Sequence, residues 1–214
     1  MKEYHKIQTV FKRDPTTNRK TLLEGQYSMP ELEYLKDNVW VFTEKVDGTN
    51  IRVKHENNIV SFGGKTDNSQ IPTFLYDRLY ELFQNGKMYG TFNASDACLY
   101  GEGYGAKIQK GGGNYIKDGV DFVLFDVRIG EWWLKREDVK EIAAKLGIYV
   151  VPVIGEGSLL DGVEVVRSGF DSTWGEFPAE GLVMRPKTEL GARSGQRIIT
   201  KIKHKDFRRD KKMD

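Results

Sequence analysis

The sequence predicts an α+β fold rich in antiparallel strands, on three observations. Its 23 glycines lie between short runs of β-forming residues and only 6 prolines are present, a pattern typical of strands joined by tight turns. Apolar residues recur at helical spacing in a few separate segments. No repeat, low-complexity stretch or linker divides the 214 residues, so we expect a single domain over residues 1–214, with antiparallel sheets flanked by helices.

The first strand is predicted over residues 39–42, a Val-Trp-Val-Phe run. An Asp-Gly pair follows at residues 47–48, and such a pair between two β-forming runs is typical of a hairpin turn. In the next strand Asn50 and Arg52 alternate with apolar residues. Period-2 geometry therefore places both polar side chains on one face, where they can lie beside Lys45.

Helices are predicted in three segments. Residues 74–83 carry an apolar face after Pro72, and residues 139–146 carry another that ends before Gly147, a common helix terminator. Residues 159–168 form the third predicted helix.

The remaining strands are predicted in the middle and last parts of the chain. Residues 122–125 and 182–184 are short apolar runs, and the segment 129–131 has the composition of a second hairpin turn. Residues 198–203 alternate so that two lysines point to the same side.

Composition places the chain among ordinary globular proteins. It holds 33 Lys and Arg against 31 Asp and Glu, a net charge of +2, with 39% hydrophobic residues. No apolar run approaches the roughly 20 residues that span a bilayer, and the N-terminus lacks a signal-like apolar stretch. Cys98 is the single cysteine, which fits a reducing compartment. We therefore expect a cytoplasmic protein with no membrane association.

The strongest local pattern is Lys45, which follows an apolar strand and directly precedes the 47–48 turn. A lysine nucleophile, the Asn50 amide and the Arg52 guanidinium on one surface suit a phosphate-bearing ligand. A solvated surface lysine beside a hairpin gives the same pattern, so Lys45 alone leaves both interpretations open.

Three later segments place charged groups at strand ends. Glu102 lies among glycines, Glu180 begins an apolar run, and Lys201 and Lys203 share a strand face. Two lysines on one face repel each other unless an anion lies between them. Each segment has an ordinary alternative: an exposed loop acid, a strand-end ion pair or a solvated strand face.

Taken in order, these segments resemble the motif series of covalent nucleotidyltransferases. The series is Lys45-x-Asp47-Gly48-x-Asn50, Gly101-Glu102-Gly103, Phe125-Asp126, Glu180-Gly181-Leu182-Val183 and Lys201-x-Lys203. It is most similar to the ATP-dependent RNA ligases of the RNA ligase 2-like, often phage-encoded, group, over residues 35–205. The resemblance implies a nucleotidyltransferase fold, the ATP-grasp-like adenylation domain of ligases, and the host cytoplasm if the enzyme is phage-encoded.

The resemblance also implies roles for the matching residues. In such ligases a lysine, here Lys45, attacks the α-phosphate of ATP; AMP then passes to a 5′-phosphate RNA end, and a 3′-hydroxyl displaces it. Phe125 would stack on adenine, Glu44 would flank the base, and Lys201 and Lys203 would act catalytically on the α-phosphate. The implied nucleotide contacts are Glu44, Lys45, Asn50, Arg52, Lys65, Glu102, Phe125, Glu180, Lys201 and Lys203. The implied ligands of Mg²⁺ (or Mn²⁺) are Asp47, Glu102 and Glu180. The implied partners are ATP and the 5′-phosphate and 3′-hydroxyl ends of RNA, and we expect the protein to be a monomer.

Chemistry explains why cations should surround the nucleophile. A lysine with the usual pKa of about 10.4 is a free amine in only about one molecule in a thousand near pH 7.4. Nearby cations such as Lys201, Lys203 and Arg52 disfavour the ammonium form, as does a bound metal ion. The acids oppose this effect unless the metal neutralises them.

Two features depart from the family pattern. Lys65 stands where these ligases commonly carry an arginine before a threonine; lysine keeps the charge but loses the bidentate fork, for which Arg52 is a candidate replacement. Many relatives also carry a further C-terminal domain that helps to engage RNA, whereas this sequence ends eleven residues after Lys203. Either the catalytic domain alone binds the substrate, or the chain is a natural minimal form or a truncation.

The last residues are strongly basic, because seven of the twelve from Lys201 to Lys212 are Lys or Arg. Such a segment is either a solvated tail or an electrostatic arm that follows the RNA backbone.

The alternatives to an RNA ligase are a DNA ligase, a capping-type nucleotidyltransferase, and a non-catalytic module that binds nucleotide or RNA. The joint presence of Lys45, Glu102, Glu180, Lys201 and Lys203 argues against the last, because binding alone does not need the nucleophile.

Overall fold

The computed structural model describes residues 2–84 and 86–207. Within these ranges the strands, in chain order, are β1 Gln8–Thr9, β2 Phe11–Arg13, β3 Leu22–Tyr27, β4 Trp40–Glu44, β5 Thr49–Glu56, β6 Ile59–Gly63, β7 Ala97–Gly105, β8 Val120–Ile129, β9 Trp132–Trp133, β10 Tyr149–Val150, β11 Val153–Gly157, β12 Gly181–Pro186 and β13 Thr200–Lys203. The α-helices are α1 Pro30–Tyr34, α2 Thr73–Phe83, α3 Lys87–Phe92, α4 Gly112–Tyr115, α5 Arg136–Leu146 and α6 Leu159–Ser168, and short 3₁₀ helices cover Pro15–Thr17 and His204–Phe207.

The chain forms two compact units. The first contains residues 2–4 and Val46–Val151, and the second contains His5–Lys45 and residues 152–207. The chain thus leaves the second unit directly after Lys45 and returns to it at Pro152. The prediction of one nucleotidyltransferase domain over residues 1–214 stays a prediction.

The first unit is a six-stranded sheet covered by helices. Its strand order is β10-β8-β7-β5-β6, with β9 paired to β8, and only the β10–β8 pair is parallel. Helices α2 and α5 pack on β8. Their apolar faces meet sheet residues such as Ile51 and Phe122 in one buried core.

The second unit is built on a five-stranded sheet of order β1-β13-β12-β4-β11, in which only the β1–β13 pair is parallel. Strands β2 and β3 form a separate pair. Helix α6 packs on β11, β12 and β13, and its residues Leu159, Val163 and Val166 share a core with Phe42 and Met184.

The structure confirms the prediction of a mixed α+β fold with antiparallel sheets and helices. The three predicted helices correspond to α2, α5 and α6, and the turn at 129–131 joins the antiparallel pair β8–β9. Within the described residues, no helix has the length and apolar character needed to cross a membrane.

The hairpin predicted at residues 47–48 is wrong. Strand β4 pairs with β11 and β12, whereas β5 pairs with β6 and β7 in the other unit. Gly48 instead packs against β7, where a Cβ atom would lie 2.2 Å from the carbonyl oxygen of Gly103. The Asp-Gly pair therefore serves a close approach between backbones as the chain passes from one unit to the next.

Candidate active site

Lys45 lies where β4 ends in the second unit. Its backbone N–H donates to the carbonyl of Gly181 at 2.9 Å, which continues the antiparallel pairing of Glu44 with Leu182. The sheet therefore fixes the backbone of Lys45 beside the first residue of β12.

The side chain of Glu180 binds two lysines. Lys45 Nζ donates to Glu180 Oε2 at 2.6 Å, and Lys203 Nζ donates to Glu180 Oε1 at 2.5 Å. All three side chains are largely shielded, with exposed fractions of 19% for Lys45, 14% for Glu180 and 20% for Lys203. Two ammonium groups thus converge on a single carboxylate at one end of the sheet.

Burial raises the pKa of Glu180, but the charges and hydrogen bonds of Lys45 and Lys203 outweigh it, so the pKa lies below its ordinary value. The carboxylate is therefore held ionised between its two cations at neutral pH.

Gly181 makes this approach of β13 feasible. Its φ is +153°, and a Cβ atom there would lie 2.1 Å from the carbonyl oxygen of Ile202 and 2.7 Å from the Cα of Lys203. A side chain at this position would push away the strand that carries Lys203.

Lys201 lies on the same face of β13 as Lys203, because the alternating residues Thr200 and Ile202 are buried on the opposite face. It pairs with Val183, which pairs in turn with Thr43. The prediction that the two lysines share a face is confirmed, and the anion that Lys203 binds is Glu180.

Glu44 lies on the buried side of β4, with an exposed fraction of 1%. Its carboxylate accepts hydrogen bonds from Ser172 Oγ at 2.5 Å, from Thr173 N at 2.9 Å and from Thr173 Oγ1 at 2.8 Å. Glu44 therefore ties β4 to the segment that leads to Glu180, and its predicted contact with the base stays a prediction.

The other predicted site residues belong to the first unit. Asn50 pairs with Glu102 across β5 and β7, and Asn50 Oδ1 is buried without a hydrogen-bond partner among the described residues. Because Ile51 and Val53 point into the core, Asn50 and Arg52 share the opposite face, as predicted.

The 47–48 turn is held by a neighbouring segment of the same unit. The Asp47 N–H donates to the Tyr115 hydroxyl at 3.1 Å, and Gln109 Nε2 donates to the Gly48 carbonyl at 3.0 Å. A Cβ atom at Gly48 would also lie 2.8 Å from Cγ of Glu102, so the turn and Glu102 are close neighbours.

Phe125 lies at an irregularity in the pairing of β8 with β7. The Tyr4 ring meets it edge-on, with ring centroids 5.1 Å apart, and the Tyr4 hydroxyl donates to Asp126 Oδ2 at 2.5 Å. The sequence analysis missed Tyr4, Gln109 and Tyr115, because none of them belongs to a recognisable pattern.

Lys65 is exposed and follows β6 at the edge of the first unit's sheet. Arg52 is fully buried and bonds to the residues on either side of Lys65. Within the described part of the chain, no three His, Cys, Asp or Glu side chains are grouped to hold a metal ion, and the ligand set Asp47, Glu102 and Glu180 stays a prediction.

The described part of the basic tail is anchored. Asp206 accepts hydrogen bonds from Arg13 Nη2 at 2.7 Å and from the Lys203 N–H at 3.0 Å. The Arg167 guanidinium lies 4.4 Å from the centre of the Phe207 ring. The rest of the predicted arm, residues 208–212, lies outside the described residues.

Comparison with known proteins gives both a family and a fold. A family model described as RNA ligase matches residues 38–203. The fold is similar to that of an RNA ligase from Naegleria gruberi solved with PPi, at TM-score 0.67 and 18% identity over 95% of this chain and 56% of the other. Two variants of that ligase solved with ATP and Mn give TM-scores of 0.66 and 0.64, at 17% and 20% identity over 95% and 96% of this chain. This chain spans 56% and 63% of their lengths, and no curated protein matches it.

Proposed function

Since the chain belongs to the RNA ligase family, we propose that it joins a 3′-hydroxyl and a 5′-phosphate RNA end, using ATP, through lysyl-AMP and RNA-adenylate intermediates. It would do so as a covalent lysine nucleotidyltransferase with the fold of a ligase adenylation domain.

The observation that carries the proposal is the pair of ammonium groups on Glu180, at 2.6 Å from Lys45 and 2.5 Å from Lys203. A largely shielded lysine beside a second cation is suited to a nucleophile that attacks a phosphate. When a phosphate replaces the carboxylate as the partner of Lys203, Lys45 can turn to the same phosphorus.

In the first step, Lys45 Nζ loses a proton and forms a bond to the α-phosphorus of ATP, while the bond to pyrophosphate breaks. Lys203 and Lys201 would donate charge-assisted hydrogen bonds to the oxygens of that phosphate, which become more negative in the transition state. An RNA 5′-phosphate oxygen then attacks the phosphorus of lysyl-AMP and frees Lys45. In the last step the 3′-hydroxyl attacks the RNA phosphorus, and AMP leaves.

Residues of the first unit suit the nucleoside part of the ligand. The buried oxygen of Asn50, unpaired among the described residues, requires a hydrogen-bond donor, and a ribose hydroxyl is one. Glu102, opposite Asn50 on β7, would contact the ribose or the reacting phosphates, and Phe125 offers an aromatic ring for adenine. Glu44 and Lys65 are retained as proposed nucleotide-binding residues.

The donor set for a divalent cation consists of carboxylates, the ligands that Mg²⁺ and Mn²⁺ prefer. Asp47, Glu102 and Glu180 would hold it, and Glu180 becomes available once Lys45 or Lys203 turns to the phosphate. The bound cation would supply charge neutralisation at the phosphate and favour the amine form of the nucleophile. The Naegleria gruberi ligase variants solved with ATP and Mn support ATP and a divalent cation as the molecules bound at the site.

Adenylation can be tested directly by incubating the protein with α-³²P-labelled ATP and magnesium or manganese, followed by a denaturing gel. We expect acid-labile label on the wild type and none on Lys45→Ala or Lys45→Arg. Lys187→Ala, which removes an exposed lysine paired with Glu156, is the matched control and should label like the wild type.

The other outcomes separate the alternatives. Label from GTP alone would indicate a capping-type enzyme, and no label with any nucleotide and metal would contradict the proposal. Sealing of 5′-phosphate RNA strands in preference to DNA, with and without a complementary splint, would identify the substrate.

A further inference from the structure

Arg52 is an unusual residue for the middle of a sheet, because its charged side chain is fully buried in the first unit. Its Nε donates to the carbonyl of Gly64 at 2.7 Å, and its Nη2 donates to Asp67 Oδ1 at 2.9 Å. These acceptors lie directly before and two residues after Lys65. The guanidinium fork therefore spans the segment from which Lys65 projects.

The same segment, residues 64–69, has further bonds of its own. The Thr66 N–H donates to Ser69 Oγ at 3.0 Å, and the Ser69 N–H returns a bond to the Thr66 carbonyl at 3.1 Å. The Asp67 N–H also donates to Glu3 Oε1 at 3.3 Å. The backbone on both sides of Lys65 is thus held, while the Lys65 side chain stays exposed.

A buried guanidinium loses its hydration, and hydrogen bonds to well-placed acceptors compensate for that loss. Arginine suits this task because its planar guanidinium can donate to two acceptors at once in a fixed geometry. A lysine ammonium on its flexible stem imposes no such geometry. Lys65, in contrast, carries a point charge on a flexible side chain, so the position of its ammonium group depends on how firmly its backbone is held.

We propose that Arg52 is a positioning residue, which fixes residues 64–67 so that Lys65 presents its ammonium to a phosphate of the bound nucleotide. This inference rests on the proposed function and replaces a direct contact of Arg52 with the ligand by an indirect one. The fixed backbone would supply the direction that lysine itself lacks.

The first test measures the segment itself and needs no activity. Trypsin cleaves after lysine, so the appearance of the peptide that ends at Lys65, followed by mass spectrometry in the otherwise native chain, reports how firmly residues 64–67 are held. Asp67→Ala removes an acceptor whose side chain is 68% exposed, so the fold should survive. We expect cleavage after Lys65 to become roughly tenfold faster.

The matched control is Glu131→Ala, which removes an 84% exposed acid from another buried arginine of the same unit, Arg128. It should leave cleavage after Lys65 unchanged. Equal cleavage rates for the wild type and Asp67→Ala would overturn the proposal, whatever the activity of either protein.

The second test is a double-mutant cycle in the adenylation rate. Lys65→Ala should slow adenylation roughly 10- to 100-fold, and Asp67→Ala or Arg52→Lys should slow it by part of that amount. In the Lys65→Ala background, Asp67→Ala and Arg52→Lys should have no further effect on the rate, because the ammonium group that Arg52 and Asp67 position is gone. Fully additive losses would show that Arg52 acts on the nucleotide itself and would overturn the inference.

Thermal unfolding of each variant separates positioning from folding, because the rate losses should persist in variants whose melting temperature equals that of the wild type. A wild type that never becomes adenylated would contradict the proposed function alone, and the proteolysis would still decide whether Arg52 holds the segment.

Discussion

At the residue scale, the Glu180 carboxylate affects both the chemistry of the candidate site and the stability of the sheet. Its two oxygens are bound separately, one by Lys45 and the other by Lys203. The two lysines lie on different strand ends of one sheet, so the carboxylate also links those ends. Substitution at this position should therefore affect folding as well as chemistry.

The stabilisation that Glu180 provides should depend on pH. Its pKa in the folded protein is lower than the ordinary value of 4.5, so the ionised form stabilises the fold above pH 4.5, and this contribution disappears as the pH falls through the folded-state pKa. The difference in free energy of unfolding between the wild type and Glu180→Gln should be largest near pH 7 and should shrink below pH 4.5. Urea unfolding over a pH series without metal measures it. A pH-independent difference for Glu180→Gln would contradict the ion-pair explanation.

Tyr4 gives a second prediction at this scale. Its hydroxyl donates to Asp126 Oδ2 at 2.5 Å, and Asp126 is fully buried. Because an intramolecular hydrogen bond typically contributes about 0.5 to 1.5 kcal/mol, Tyr4→Phe should lower the free energy of unfolding by about that amount. Tyr34→Phe, at a side chain that is 86% exposed, should leave it unchanged. Equal stabilities in urea unfolding would show that the Tyr4 hydroxyl does not stabilise the unit.

Some residues of the candidate site could be predicted from the sequence and others could not. Lys45, Glu180 and Lys203 could be singled out because each stands at a fixed place in a motif series. The contact between Tyr4 and Phe125 could not, because it joins residues 121 positions apart in sequence and no local pattern encodes such a pairing.

At the element scale, the helices could be predicted because their signals are local. The apolar spacing of residues 139–146 and the following Gly147 suffice to define α5, and Gly147 adopts φ +70° as its terminating residue. The prediction of a hairpin at residues 47–48 was wrong because an Asp-Gly pair has the same composition whether the flanking strands pair with each other or belong to different sheets. Only the packing of Gly48 against Gly103, a long-range contact, distinguishes the two.

Helix α6 supports a prediction at the same scale. Ser158 Oγ accepts a hydrogen bond from the Asp161 N–H at 3.2 Å, and Asp161 Oδ2 accepts one from the Ser158 N–H at 2.8 Å, which completes a capping box. Ser158→Ala should destabilise the protein by about 0.5 to 2 kcal/mol in urea unfolding. Ser168→Ala, at the other end of the helix, removes a surface hydrogen bond to Glu164 and should cost less. Equal losses for the two variants would contradict a specific role for the cap.

At the scale of the whole molecule, the division into two units leaves no mark in composition. Both units consist of short β-forming runs and amphipathic helices. The chain crosses between them after Tyr4, Lys45 and Val151, in each case without a linker. Sequence patterns record local periodicity, whereas the two separate cores are defined by contacts between distant segments. The net charge of +2 likewise says little about binding partners, because it is a sum over the whole chain and does not show where acidic or basic residues cluster.

The end of the chain holds such a concentration of basic residues, and its role in RNA binding can be tested by truncation. Asp206 and Phe207 contact Arg13 and Arg167, so a cut after Lys205 would remove structural contacts together with charge. A cut after Phe207 keeps them and removes residues 208–214, which contain four Lys or Arg. If these cations contact RNA phosphates, the truncated protein should join RNA more weakly at low salt, and the slope of log affinity against log salt should become shallower by up to about 3.

Adenylation by ATP should be unaffected in that protein, because the three residues of the Lys45, Glu180 and Lys203 cluster remain. The matched control keeps the full chain and replaces Arg208 and Arg209 by lysine, which preserves charge and should preserve the salt slope. A salt series of RNA joining and of RNA binding on the three proteins gives the comparison. If the truncated protein joins RNA as the full chain does at every salt concentration, the basic residues are a solvated tail, and the cations that engage RNA must lie within residues 2–207.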